Sequence, residues 1–253
     1  MATQTNPGVT ILVKALPQPS KKYGETVCCA GVTSDRKWKR LFPVCFRHLS
    51  GDSSFARWDR VSFDYGRPIH DAREESCHVH EESIKIIGKL AENERSRFLN
   101  PMILGSAKAA EALGHSLALI RPKKTQFFAK AKSKIEVEQS RESFRKSASQ
   151  TSMFDQELAE MEPSPYDFRF KFEDDAGPHE YQNGDWEAHA MFWRETKRSS
   201  EAAALKWMHA VFNEDYPKRG MVFALGNQAK RPQTWQLLGV IRLDVALQEE
   251  FIF

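Results

Sequence analysis

His179, Asp185 and Glu187 lie close together in the chain and carry the side chains that hydrolytic phosphodiester sites use. With Asp174 and Asp175 just upstream, they could hold a divalent metal and activate water. The same residues also have a structural reading. Asp185 precedes a helical stretch running to about Lys197, so its carboxylate can cap the first turn, and Glu187 can complement the helix dipole. No Lys-containing nuclease motif accompanies the group, so it stays a candidate catalytic or metal site with both readings open. Beyond that divalent metal, no cofactor is expected.

A second chemistry is stacking and phosphate neutralisation. Lys37, Lys39, Arg40 and Arg47 interleave with Trp38, Phe42 and Phe46, and Arg57 and Arg60 flank Trp58. Cations of this kind neutralise phosphates, and each base stacked on a ring contributes roughly 1–3 kcal/mol. On a strand, Trp38, Arg40 and Phe42 share one face, and Lys37, Lys39 and Leu41 share the other. The competing reading puts Trp38, Phe42 and Trp58 in the core, with the cations edging the sheet. Lys230 and Arg231, followed by Trp235, form a second candidate contact at a hairpin tip. His70, Cys77, His78 and His80 are metal-capable, but their spacing matches no standard zinc site. The chain has no Gly-rich phosphate loop, no Gly-x-Ser-x-Gly and no His-Glu-x-x-His, which excludes the common nucleotide-binding, serine-hydrolase and zinc-protease signatures.

These residues sit in a chain of 253 with 37 Lys and Arg against 34 Asp and Glu, a net charge of +3. The charge is segregated. The first sixty residues and Arg121–Lys146 are basic, and Asp155–Glu187 is acidic. Opposed blocks suggest one face for an anion and another for a metal, a basic partner or solvent. Hydrophobic content of 41% is enough for a core. No apolar stretch approaches a membrane span, and the N-terminus lacks the pattern of a signal peptide. Four cysteines without a Cys-x-x-Cys pair suit reduced thiols in a cytoplasmic protein.

The elements that must position the candidates read as follows. Strands are expected at Val9–Leu16, Glu25–Thr33, Trp38–Phe46, Arg57–Tyr65, Ser116–Arg121, Tyr166–Phe172, Met221–Gly226 and Trp235–Leu243. Helices are expected at Glu92–Leu99, after Ser106 to Leu113, from Asp185, and from Ser200 to Phe212. Glu82–Leu90 fits either state. Lys123–Met161 is charged and weakly patterned and reads as a linker or insertion. The expected fold is α+β, with two small OB-like β-barrel domains and inserted helices. The N-terminal domain is expected over residues 1–122, the charged linker over 123–163 and the C-terminal domain over 164–253.

The segments Pro19–Val32 (PSKKYGETVCCAGV), Trp38–Leu49 (WKRLFPVCFRHL) and Phe55–Val61 (FARWDRV) resemble a bacterial family of dual OB-domain proteins associated with defence. The likeness continues at Ser116–Pro122, Pro165–His179, Asp185–Trp193 and Gly220–Leu243. The resemblance implies two OB-like barrels and a nucleic-acid role in conflict with mobile elements, with no catalytic residues to carry over. The expected function is therefore binding of single-stranded or modified nucleic acid, alone or beside an ATPase or effector partner. The alternatives are a metal-dependent hydrolase at His179, Asp185 and Glu187, or a protein-interaction subunit docking through the acidic stretch or Phe251–Phe253.

Overall fold

A computed structural model describes residues 4–20, 24–47, 49–69, 71–151 and 161–244. The first half contains β1 (Gln4–Lys14), β2 (Gln18–Ser20), β3 (Gly24–Thr33), β4 (Trp38–Val44), β5 (Asp59–Gly66), β6 (Ser76–Lys89) and helix α1 (Glu92–Leu99). β1 pairs with both β5 and β3, so the order β1-β5-β6-β4-β3 closes on itself as a five-strand barrel. β4 and β6 run parallel and every other contact in the ring is antiparallel, which is the strand order of an OB barrel.

Alternation fills this barrel. Val9, Ile11, Val27, Cys29, Leu41, Val61, Phe63 and Val79 point inward and are almost fully buried. Cys28 takes the opposite face from Cys29, near the Arg40 guanidinium. The outward residues of β1 and β3 are apolar too. Leu12, Val13, Ala30 and Val32 pack on the second half, so β1 and β3 are hydrophobic on both faces and read as near-continuous apolar runs.

The second half contains β7 (Ile103–Leu104), α2 (Ala107–Ala112), β8 (Leu117–Ile120), β9 (Lys123–Ala131), α3 (Lys134–Thr151), β10 (Tyr166–Asp174), β11 (Gly177–Gln182), α4 (Trp186–Arg198), α5 (Glu201–Ala210), β12 (Met221–Gln228) and β13 (Arg231–Arg242). Its strands form a sheet β11-β10-β9 and a sheet β13-β12-β8-β7. The sheets meet at corners, through the bridge Asn183–Leu237 and the bond from Asp175 N–H to Gly105 O. The four-stranded sheet is a shared layer. Val222, Ala224, Leu117 and Leu119 face the barrel, while Phe223, Leu225, Ala118 and Ile120 face a phenylalanine core with Phe127, Phe168, Phe170 and Phe172. α4 and α5 close that core with Phe192 and Met208, and Phe212 follows directly after α5.

The α+β class and the two-part layout hold, and several caps form as read. Ser106 Oγ accepts the Ala109 N–H at 3.0 Å, and Gly114 ends α2 at φ +74°. Within 123–163, the expected linker is instead regular structure over 123–131 and 134–151, as β9 and α3. β9 is an edge strand paired with β10 from Tyr166–Ala131 to Glu173–Lys123. Only one of its faces is buried, through Phe127, and its lysines face solvent, which weakens the pattern in sequence. α3 begins with a reciprocal box, in which Ser133 Oγ accepts the Glu136 N–H and the Glu136 carboxylate accepts the Ser133 N–H. The first half also ends earlier than 122, because β8 belongs to the second half's sheet. Glu82–Lys89 is strand, the second part of the long β6. His70 and Phe251–Phe253 lie outside the described residues.

Candidate functional site

The junction of the two halves uses several of the residues singled out in the sequence. Arg57 Nη2 donates to both Asp185 oxygens at 2.8 Å, and Nη1 donates to Val240 O at 2.7 Å. Asp185 also accepts the Val240 N–H at 2.8 Å and the Glu187 N–H at 3.0 Å, so it caps α4 while gripping the barrel. Its side chain is 2% exposed and that of Arg57 is 13% exposed. Burial works against the Arg57 charge, but Asp185 and Glu187 outweigh it and hold the guanidinium above its ordinary pKa. Arg57 is thus a structural cation, not a phosphate contact.

Arg40 has the same fate. It is buried, and Nη2 donates to Ser116 O at 2.6 Å while Nε lies 3.4 Å from Glu75 Oε1. Ser116 Oγ also bonds Glu75. Trp58 is 7% exposed and packs between the halves, with Arg95 stacked 4.5 Å from its ring and its backbone held at φ +77°. Trp38 is half-buried on the same interface. Burial of Arg40, Arg57 and Trp58 therefore takes three of the sequence's nucleic-acid candidates out of reach of a ligand.

The remaining nominees are reachable from solvent. Lys37 is exposed and pairs with Asp35 at 3.2 Å. Lys39 lies 5.4 Å over the Tyr65 ring at the barrel mouth, and Arg47 lies 6.0 Å over Trp186. Phe42 is 40% exposed and is the register partner of exposed His78, so both rings stand on the outer face of the β4–β6 wall. Lys230 and Arg231 are exposed at the β12–β13 turn, without an ion-pair partner among the described residues. That hairpin touches the barrel where Arg73 Nη1, in the β5–β6 loop, donates to Asn227 O at 2.9 Å.

The acidic candidates do not converge. His179 stands on β11 with Nε2 2.9 Å from Asp174 Oδ1 and its ring beside Phe172 and Tyr181. Glu187 pairs with Lys14 at 3.1 Å. Asp185 is saturated by Arg57 and two backbone N–H groups, which leaves no lone pair arrangement for a metal. Among the described residues, no three His, Cys, Asp or Glu side chains gather as a metal site. His78 and His80 lie edge to face at 6.5 Å, and burial raises Cys77 to about 11, so that thiol is a core residue. Among the described residues, no helix is long and apolar enough to cross a membrane.

Sequence reasoning missed two residues at this junction, Asn183 and His189. Asn183 is 6% exposed, and its Oδ1 accepts the Asp185 N–H at 3.1 Å. His189 is 5% exposed, and burial lowers its pKa to about 4. The Asn183-Gly184-Asp185 step before a helix is a turn signal that would have drawn attention to Asn183.

The boundary between the halves reappears in comparison with known families. A family model described as a domain of unknown function, DUF8758, matches residues 5–102, which span the barrel and α1. A second, described as a domain of unknown function, DUF8757, matches residues 102–251, the two-sheet half with its helices. No curated protein matches the chain. Since the second model covers more than half of the sequence, the chain belongs to the DUF8757 family.

Proposed function

We propose that the protein binds single-stranded nucleic acid along the exposed part of the β4–β6 wall of its barrel. The observation that carries this reading is a closed ring in OB order whose β1–β3 wall and the Trp38–Arg40 end of β4 pack on the second half, while Phe42 and its register partner His78 farther along the β4–β6 pair are exposed. OB barrels take strands across the face of their second and third strands and the neighbouring loops. Here the ring's second strand, β3, is covered together with the Trp38–Arg40 end of its third, β4, so the strand path shifts toward Phe42 on β4, His78 on β6 and the β5–β6 loop. Phe42 and His78 offer stacking surfaces on that wall, Lys39 and Tyr65 mark its end at the mouth, and Lys230 and Arg231 reach over from the adjoining hairpin. In the setting implied by the dual OB-domain resemblance, the strand belongs to a mobile element, and an ATPase or effector partner responds to the bound state.

Fluorescence anisotropy with labelled single-stranded DNA and RNA over a salt series tests the proposal. Affinity falls with salt, and the double variant Lys230→Ala/Arg231→Ala makes the log–log slope shallower by about 1.4, or 0.7 for each lost phosphate contact. Absence of binding at low salt, or an unchanged slope in the double variant, refutes it.

A further inference from the structure

Strand binding on the β4–β6 wall leaves a cleft on another side of the molecule unexplained. It lies between α3 and the β9–β10–β11 sheet, has a volume of about 480 Å³ and reaches Leu16 and Pro17 of the barrel. That volume suits a small organic ligand. Phe144 and Met161 make apolar wall, and Ser143 stands on the helix side. The charges at its edge are satisfied within the protein. Lys132 pairs with Asp167 at 3.2 Å, and Asp185 is held by Arg57.

Two buried polar side chains line the cleft, and one of them keeps a polar atom without a partner among the described residues. Asn183 is 6% exposed, and its Nδ2 has no hydrogen-bond partner among the described residues. The bond from Asp185 N–H to Asn183 Oδ1 fixes which end of the amide is free. A buried donor left unpaired is costly, and native proteins give such a group an acceptor. His189, 5% exposed, is held neutral by burial, with a pKa of about 4, and its ring bonds the Glu162 carbonyl. A neutral imidazole that donates from one nitrogen keeps an acceptor on the other. The Trp186 ring stands 5.6 Å from His189.

We infer that this cleft binds an uncharged heterocycle presenting an acceptor to Asn183 and a donor to His189, the pattern carried by the edge of a free or modified nucleobase. The inference does not rest on strand binding at the barrel wall. A nucleobase is planar, fits the volume, and offers adjacent donors and acceptors on one edge.

Ligand-observed NMR with the full chain decides it, using the four ribonucleosides, 5-methylcytidine and N6-methyladenosine as probes. At least one binds saturably in the millimolar range or tighter. Asn183→Asp keeps the acceptor for the Asp185 N–H but replaces the free donor, and it weakens that binding by about tenfold or more. Ser143→Trp, at an exposed position on α3, fills the cleft without touching the core and abolishes binding at an unchanged melting temperature. Lys230→Ala/Arg231→Ala leaves nucleoside binding as it was, which separates this site from the wall. Saturable binding by none of the six probes overturns the inference, and so does wild-type affinity in Ser143→Trp.

Discussion

Replacing Arg57 with Met removes the one counter-charge of a carboxylate whose side chain is 2% exposed. Asp185 would keep its bonds from the Val240 and Glu187 N–H groups but lose both 2.8 Å contacts to the guanidinium. Breaking a buried pair from one side costs about 3–5 kcal/mol, because a charge is left without a partner. For a chain of this size each kcal/mol moves the melting temperature by about 2–4 °C, so Arg57→Met should melt roughly 6–20 °C lower. Asp185→Asn should cost a similar amount, since it strands the guanidinium instead. The double variant should recover much of the loss, because no unpaired charge remains, and the cycle should show strong coupling. Urea denaturation and calorimetry of the four proteins measure this directly. A cost below about 1 kcal/mol for Arg57→Met would mean that the pair behaves as an exposed one and does not hold the halves together. Strand affinity in Arg57→Met, measured well below its melting point, should match the wild type, and a large loss would return Arg57 to the ligand surface.

His189 makes stability depend on pH. Its folded pKa of about 4 lies below the ordinary value of 6.5, so the neutral form belongs to the folded state. The contribution is complete above about pH 6.5 and is lost as pH falls toward 4, because the unfolded chain takes a proton that the folded chain refuses. Across that window the loss is about 3 kcal/mol, and His189→Gln should flatten this part of the profile of urea midpoints. A wild-type slope in the variant would contradict the assignment. Gly31 is required by close approach of β1 and β3. A Cβ there would sit 2.3 Å from Thr10 O and 2.6 Å from Val9 Cγ1. Gly31→Ala should destabilise by about 1–3 kcal/mol or more, whereas Gly66→Ala, with nothing within 4 Å of its Cβ position, serves as a near-neutral control. Equal melting temperatures for the two would refute the packing argument.

The strands of the shared layer were legible because both of their faces are buried. Ser116–Arg121, Met221–Gly226 and Trp235–Leu243 are apolar runs whatever their partners, and Tyr166–Phe172 alternates because one face meets the phenylalanine core. Caps are local, so Ser106, Asp185 and Ser200 were legible as well. β9 was not, because an edge strand anchored by Phe127 and fringed with lysine looks like a charged linker. The Ser133–Glu136 box was there to be read, but the polar composition around it hid the helix.

Residue type and spacing alone thus determined the α+β class, the barrel strands β1, β3, β4 and β5 and the presence of cations beside rings, while β6 was left open between strand and helix. Which cations are free was decided only by the tertiary structure. A guanidinium in the sequence has the same charge whether it meets a phosphate or a carboxylate, and Arg40 and Arg57 meet Glu75 and Asp185, which are far away in the chain. The unsatisfied Asn183 amide is likewise invisible in sequence, because an orphan donor exists only once folding has removed water and supplied nothing in its place.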